Sequence, residues 1–417
     1  MGSHAGGIRR VRFRNQLEGG YNMTSDGLRG RVRALFGLVV LATLVITACG
    51  NSSTQGTSGT TSASDLAYAA AQVAASTSLP SFTAPGPAVD VSKVRGKKVF
   101  VIPLVPNPFN QAIEKTMKYL ADQAGINYTI YPNQGLVSQW VQAFNQAISQ
   151  KPDLIILSTA PDPRELAPQL QQAKAAGIPV LVTHFYDQSS PPPPDCLACA
   201  PGVTALETAP FYVAGKAEAD WMINDSKGKG HVLIVSSKDI LPSPPTVAVI
   251  EKELQDHCAG CSFSEVSVPV SEWNTKVGST VAAQLQAHPD ISYVDCLYDA
   301  MVQTAVPSVQ LAGGAGKVKV VSYNGSTFAL KFIQDGNIMG MDVGEPTIWI
   351  GYAVMDQSFR ILAGMPPVND ETTPIRVFDK TNVSDAGVPP AQAQGYGNAY
   401  VDGFNKLWGV TWSGFSG

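Results

Sequence analysis

Most of the signatures that would make this chain an enzyme are missing. It has no G-x-S-x-G elbow, no H-E-x-x-H, no P-loop, and no G-x-G-x-x-G where a strand would turn into a helix. Histidine is scarce: His184, His231, His257 and His288 are scattered, and none stands at a recognisable catalytic spacing from an acidic partner. An enzyme is therefore not expected, and an unrecognised hydrolase would betray itself by turning over what it binds. Excess positive charge is lacking too. A formal net charge of −4 gives no basic footprint for DNA or RNA. No long apolar run is present either. The most apolar stretch, Ala34 to Ile46, has 13 residues, short of the roughly 20 that cross a bilayer as a helix.

That short run has its own meaning, because Arg29, Arg31 and Arg33 precede it and Ile46-Thr47-Ala48-Cys49 closes it. Basic residues, an apolar core and a small-residue exit are the layout of an export signal. Residues 1–48 are read as a signal peptide, with the further basic run Arg9 to Arg14 pointing to initiation at the internal Met23. Residues 49–93 are read as a flexible tether, since NSSTQGTSGTTSAS carries no charge and little that could be buried.

Cysteine use fits an exported protein. Cys196 and Cys199 form one C-x-x-C, Cys258 and Cys261 another, and Cys296 stands alone. Such pairs can hold zinc, but where disulfides persist, bridges within or between the pairs are favoured. No metal and no cofactor are expected. Cys296, in the apolar YVDCLY, reads as a small core residue.

From about Val94 the chain alternates apolar strands with amphipathic helices, the rhythm of parallel sheets covered by helices. Strands are expected at 98–102, 127–131, 154–157 and 179–183, with helices at 111–124, 138–150 and 165–176. Residues 186–209, holding SSPPPPDCLACAPG, are read as an irregular excursion. The rhythm then restarts, with helices at 212–223, 247–255, 275–287, 301–311 and 328–334 and strands at 231–236, 264–269, 293–297 and 319–322. The fold class is α/β, with two doubly wound parallel-sheet lobes and a cleft between them.

Several motifs fall at strand ends in a telling order: Asn107-Pro108-Phe109, Lys151-Pro-Asp-Leu-Ile-Ile-Leu, Ala175-Ala-Gly-Ile-Pro-Val, Ala287-His-Pro-Asp, Asp299-Ala-Met, Val321-Ser-Tyr-Asn-Gly and Ile333-Gln-Asp-Gly. In this order they resemble the type I periplasmic binding protein family, in its branch of ribose and other sugar receptors of ABC importers. The resemblance covers about residues 97–365. It implies a hinge between an N-terminal lobe (94–209 plus about 345–372) and a C-terminal lobe (210–344 plus about 373–390), followed by an extension (391–417). The Ile46–Cys49 stretch likewise resembles a bacterial lipobox, which implies lipidation of Cys49 and anchoring on the outer face of the cell membrane. A monomer is expected, delivering a solute to a membrane permease. A lipid-anchored sensor signalling to a membrane kinase is the alternative with the same fold.

Carried across residue by residue, Asn107 falls where the family binds a hydroxyl and Phe109 where it stacks an aromatic on the sugar ring. Asn110 replaces a second aromatic. His184-Phe185 stands in the place of an Asp-Arg pair, Ile250 approximately in that of a second Arg, and Trp273 in that of a stacking Phe. Tyr298 replaces an Asn, Asn324 an Asp, and Gly344 a Gln. Asp299 and Glu345 are the nearby carboxylates. Losing the charged clamps removes much of the recognition of vicinal hydroxyls. The expected solute is thus small and neutral: a sugar, a polyol or a less hydroxylated relative. Each residue also has a plainer reading. Phe185 and Tyr298 can pack under strand ends, Asn324-Gly325 is a turn signal, and Asp299 can cap its helix.

Overall fold

The computed structural model describes residues 59–415, apart from 160, 193–200, 337, 370, 372 and 393. The leader, Cys49, the linker through residue 58, and both Cys196 and Cys199 lie outside the described residues.

The stretch expected as tether is ordered from residue 59 onward, which corrects that expectation. Ser62 caps α1 (Ala63–Ser76), its hydroxyl accepting from the Asp65 N–H. The alanines that follow favour helix intrinsically, but docking depends on particular contacts. Tyr68 stacks on His257 at 4.1 Å, and Lys216 donates to both Tyr68 and Glu253 at 2.7 Å. Thr61 donates to the Gly228 carbonyl at 2.8 Å beside the Cys258–Cys261 disulfide. The linker composition ends at Ser62, and the alanine-rich sequence after it packs against the second lobe.

In the first lobe β1 (Lys98–Pro103), β2 (Asn127–Ile130), β3 (Leu154–Ser158), β4 (Val180–Asp187) and β5 (Ala205–Ala209) form one parallel sheet in the order β2-β1-β3-β4-β5. Both faces of its centre are covered, so β1 and β3 are near-continuous apolar runs. The connecting helices are α2 (Pro108–Ala124), α3 (Val137–Gln150) and α4 (Ala167–Ala175). α2 starts earlier than apolar spacing suggests, because Asn107 caps it and Pro108 suits the first helical position. The excursion expected over 186–209 is corrected at both ends. β4 runs to Asp187, and Ala205–Ala209 is an edge strand whose Glu207 is buried.

The second lobe repeats the plan with α5 (Phe211–Ser226), β6 (His231–Ser236), α6 (Ser243–His257), β7 (Ser262–Ser267), α7 (Trp273–Ala287), β8 (Tyr293–Cys296), α8 (Asp299–Leu311), β9 (Lys319–Asn324), α9 (Thr327–Gln334) and β10 (Met339–Gly344). The chain then returns to the first lobe as α10 (Thr347–Leu362), which packs on α2. Gly351 permits that approach, since a Cβ there would lie 2.6 Å from Thr116 Cβ. β11 (Arg376–Asp379) adds an antiparallel edge to the second sheet, ordered β11-β10-β9-β8-β6-β7. α11 (Ala399–Trp408) lies on α10, with Trp408 stacked on Tyr352 at 5.6 Å. The extension thus touches both lobes, because Tyr396 enters the second lobe's core while Tyr400 and Phe404 enter the first. Trp140, Trp349 and Cys296 are buried.

Candidate functional site

Every candidate residue sits near or just beyond the carboxyl end of a strand, where open α/β sheets bind ligands. Asn107, Phe109 and Asn110 follow β1, and His184 and Phe185 lie in the last half of β4. Trp273 opens α7, Tyr298 and Asp299 follow β8, Asn324 ends β9, and Glu345 follows β10.

Two groups of these residues meet. In the first, His184 Nε2 lies 2.9 and 3.1 Å from the two carboxylate oxygens of Glu345, with the side chains 7% and 0% exposed. Asn324 Nδ2 donates to the same carboxylate at 3.4 Å. Phe109 packs on the His184 ring at 5.2 Å, and Phe211 meets it edge-on at 5.5 Å. Burial alone would drive the proton off His184. The Glu345 and Glu207 carboxylates outweigh burial, so the ring holds its proton more tightly than an ordinary imidazole. Backbone geometry supports this placement: His184 has φ 52°, and its N–H donates to Glu207 at 3.1 Å. In the second group Trp273 lies on Tyr298 at 5.5 Å and 23°, and the Tyr298 hydroxyl reaches Ser243 Oγ at 3.0 Å. Burial pushes the Tyr298 hydroxyl up, so it stays protonated.

Other candidates are occupied elsewhere. Asn107 spends its oxygen on the Asn110 N–H, and Asn110 donates to the Val105 carbonyl, both at 2.8 Å. Phe185 is buried against Tyr186 in the first lobe's core. Asp299 is buried and accepts from Ser322 Oγ at 2.8 Å and from the Ser326 N–H at 2.6 Å. It stands beside Asp342, which accepts from the Gly325 N–H at 3.2 Å, and burial pushes the Asp299 carboxyl up to about 7. These two acids hold the loop that presents Asn324. Ile250 is fully buried and Gly344 meets no hydroxyl-binding role of its own, since a Cβ there would strike Tyr396 and Phe378.

Glu207, Phe211 and Ser243 belong to the arrangement and were not singled out from the sequence. Glu207 lay in the excursion, and nothing local marks Phe211 or Ser243. Beside the crossing at Phe211, an apolar cavity of about 380 Å³ is lined by Phe185 and Tyr186 from one lobe and by Leu241, Pro245 and Val249 from the other. Among the described residues no cluster of three His, Cys, Asp or Glu side chains could hold a metal.

A family model described as a periplasmic binding protein domain matches residues 98–366. The chain belongs to that family. Among periplasmic binding proteins it is similar to the fructose import binding protein FruE of Bifidobacterium longum (strain NCC 2705), 28% identical over 238 residues, which is 55% of this chain and 68% of that protein. A D-ribose/D-allose-binding protein of Pseudomonas aeruginosa is 36% identical over 75 residues, 18% of this chain and 24% of its own length, so the chain spans only about a quarter of that relative. Among solved structures, a Burkholderia graminis C4D1M solute-binding protein in complex with D-arabinose superposes with TM-score 0.62 at 22% identity, covering 70% of this chain and 98% of that one. A Bacillus halodurans C-125 solute-binding protein with bound myo-inositol does so with TM-score 0.61 at 16% identity, over 71% and 99%. At such identities the superpositions establish the fold.

Proposed function

We propose that this periplasmic binding protein captures a small neutral solute, a sugar or polyol, between its lobes and hands it to the membrane permease of an ABC importer. The observation that carries this reading is the pairing of His184 with Glu345 at 2.9 Å. A buried imidazole already paired with a carboxylate leaves a charged solute no free partner there, while Phe109 and the Trp273–Tyr298 stack offer apolar faces of the kind that cover a sugar ring. The sugar receptors among its relatives support the class of solute.

A thermal-shift panel of pentoses, hexoses, inositols, linear polyols and charged analogues tests this, because a ligand binding only the folded form raises its melting temperature. Neutral hydroxylated compounds should give the hits, each released unchanged. Replacing Trp273 by Ala should weaken the best hit at least ~10-fold, as loss of about 1.5 kcal/mol of ring contact implies. A tightest hit bearing net charge, or turnover of the bound compound, would overturn the reading.

Anchoring through Cys49 is part of the same proposal, supported by the Ile46–Cys49 motif behind its apolar run. Expressed in a bacterial host, the chain should incorporate labelled fatty acid and sediment with membranes, and Cys49→Ser should do neither. A C49S protein that stayed on membranes would remove the anchor.

A further inference from the structure

Two of the chain's passages between lobes are at 209–211, where β5 leads into α5, and at 344–347, where β10 leads into α10; the chain passes again between α10 and β11 and between β11 and α11. His184 belongs to neither of the first two crossings and touches both. Its ring meets Phe211 of the first edge-on at 5.5 Å and bonds Glu345 of the second at 2.9 Å. Phe211 in turn rests on Tyr323 of β9 at 6.0 Å, while Asn324, the next residue, donates to Glu345. The Glu345 N–H donates to the Asn324 carbonyl at 3.2 Å. An unbroken set of contacts therefore runs from His184 of β4 in one lobe, through these two crossings, to the end of β9 in the other.

We propose that His184 is a positioning residue for the hinge: while protonated it ties the two crossings together through Glu345 and Phe211, and when it loses its proton the lobes swing apart. The proposal rests on the reading of the chain as a receptor that closes on a solute, and it gives His184 a role other than contact with that solute. Hinges are a few element-terminal residues that absorb the change in backbone angles, which describes Phe211 and Glu345.

Charge makes the tie conditional. The ring faces the carboxylates of Glu345 on the second crossing and Glu207 on β5. From α2 it meets Phe109 and from the first crossing Phe211, neither of which titrates. Behind Glu345 stand Asp342 and Asp299, and Tyr323 lies beside it. Because these carboxylates raise the imidazole's affinity for its proton, the tie is complete below the ordinary histidine range and is lost as pH rises past the raised value. Solute release would then be easier in an alkaline medium.

Small-angle X-ray scattering of the purified chain, dialysed free of solute, reads the hinge directly. The radius of gyration should increase between pH 6 and pH 9, reversibly. His184→Gln, which keeps a hydrogen-bond donor without the charge, should show the larger radius at both values, and Glu345→Gln should behave alike even if the first variant folds poorly. An invariant radius in the natural chain overturns the proposal. So does the same pH shift surviving in H184Q or E345Q, since the buried acids of the second lobe would then be its source. No solute enters this measurement, so an unsuccessful solute panel leaves it standing, and an unsuccessful scattering result leaves the solute reading intact.

Discussion

Replacing Asp356 by Ala should lower the free energy of unfolding by about 3 kcal/mol, at the low end of the roughly 3–5 kcal/mol range for breaking a buried ion pair. α10 is buried along almost its whole length, and within it Arg360 and Asp356 are both 0% exposed, with Arg360 Nε donating to Asp356 Oδ2 at 2.6 Å. The same carboxylate accepts from Trp408 Nε1 of α11 at 2.6 Å, while Arg360 Nη1 donates to the Pro87 carbonyl at 2.9 Å. One side chain thus joins α10 to the C-terminal extension, and its partner joins α10 to the segment before β1. Removing the carboxylate strands a guanidinium and an indole N–H where water cannot solvate them. Glu371 moderates the loss. Burial and the nearby Asp356 push its carboxyl well up, and without Asp356 it can ionise and face Arg360. Chemical denaturation at pH 7 reads the result, and a change under about 1 kcal/mol would show that the pair contributes no more than an exposed one. Asp356→Leu with Arg360→Met, which removes both charges and keeps the volume, should recover the part of the loss that comes from the stranded guanidinium, the Trp408 indole N–H staying unpaired.

The same contrast between local pattern and distant partner explains what the sequence discloses. The strand-helix rhythm is local, and the parallel sheets follow it closely through β9. Residues Ala205–Ala209 escaped because five residues with a central Glu show no strand pattern, and the burial of that Glu depends on the His184 backbone, 23 positions earlier. α1 escaped for a related reason: alanine-rich sequence permits helix, but only Tyr68 lying on His257 makes it part of the second lobe. In the candidate site, family resemblance pointed to residues near strand ends. It could not say that Asp299 is satisfied by Ser322 and Ser326, or that His184 and Glu345, 161 positions apart, neutralise each other. Orientation of a polar side chain is decided by whichever partner the fold delivers, and that partner is rarely a sequence neighbour.

A large pH effect should come from Asp295. It lies in the middle of β8, fully buried, and among the described residues neither carboxyl oxygen has a hydrogen-bond partner. Glu218 of α5 is in the same position, and Asp299 and Asp342 are buried in the same lobe. Burial pushes the Asp295 carboxyl up to about 8, from 3.8 in an exposed chain. With the folded value raised, stability is greatest below about pH 4 and falls as pH climbs through about 8. A gap of roughly four units corresponds to about 5 kcal/mol at 1.36 kcal/mol per unit. Asp295→Asn keeps the shape and removes the titration. Its amide also lacks partners, which costs about 1–3 kcal/mol at any pH. At pH 5 the variant should therefore match or fall slightly below the natural chain, whereas at pH 9 it should be the more stable by a few kcal/mol. Urea unfolding at the two pH values gives the difference, and a variant whose relative stability did not change between them would mean that Asp295 stays ionised in the fold. The consequence reaches the site, because Asp342 and Asp299 in the same acid cluster grip the Gly325 and Ser326 amides that set Asn324. Alkaline pH should loosen that loop by like-charge repulsion as well as release His184, and the D295N chain separates the two effects by lowering the charge of the cluster without touching the hinge.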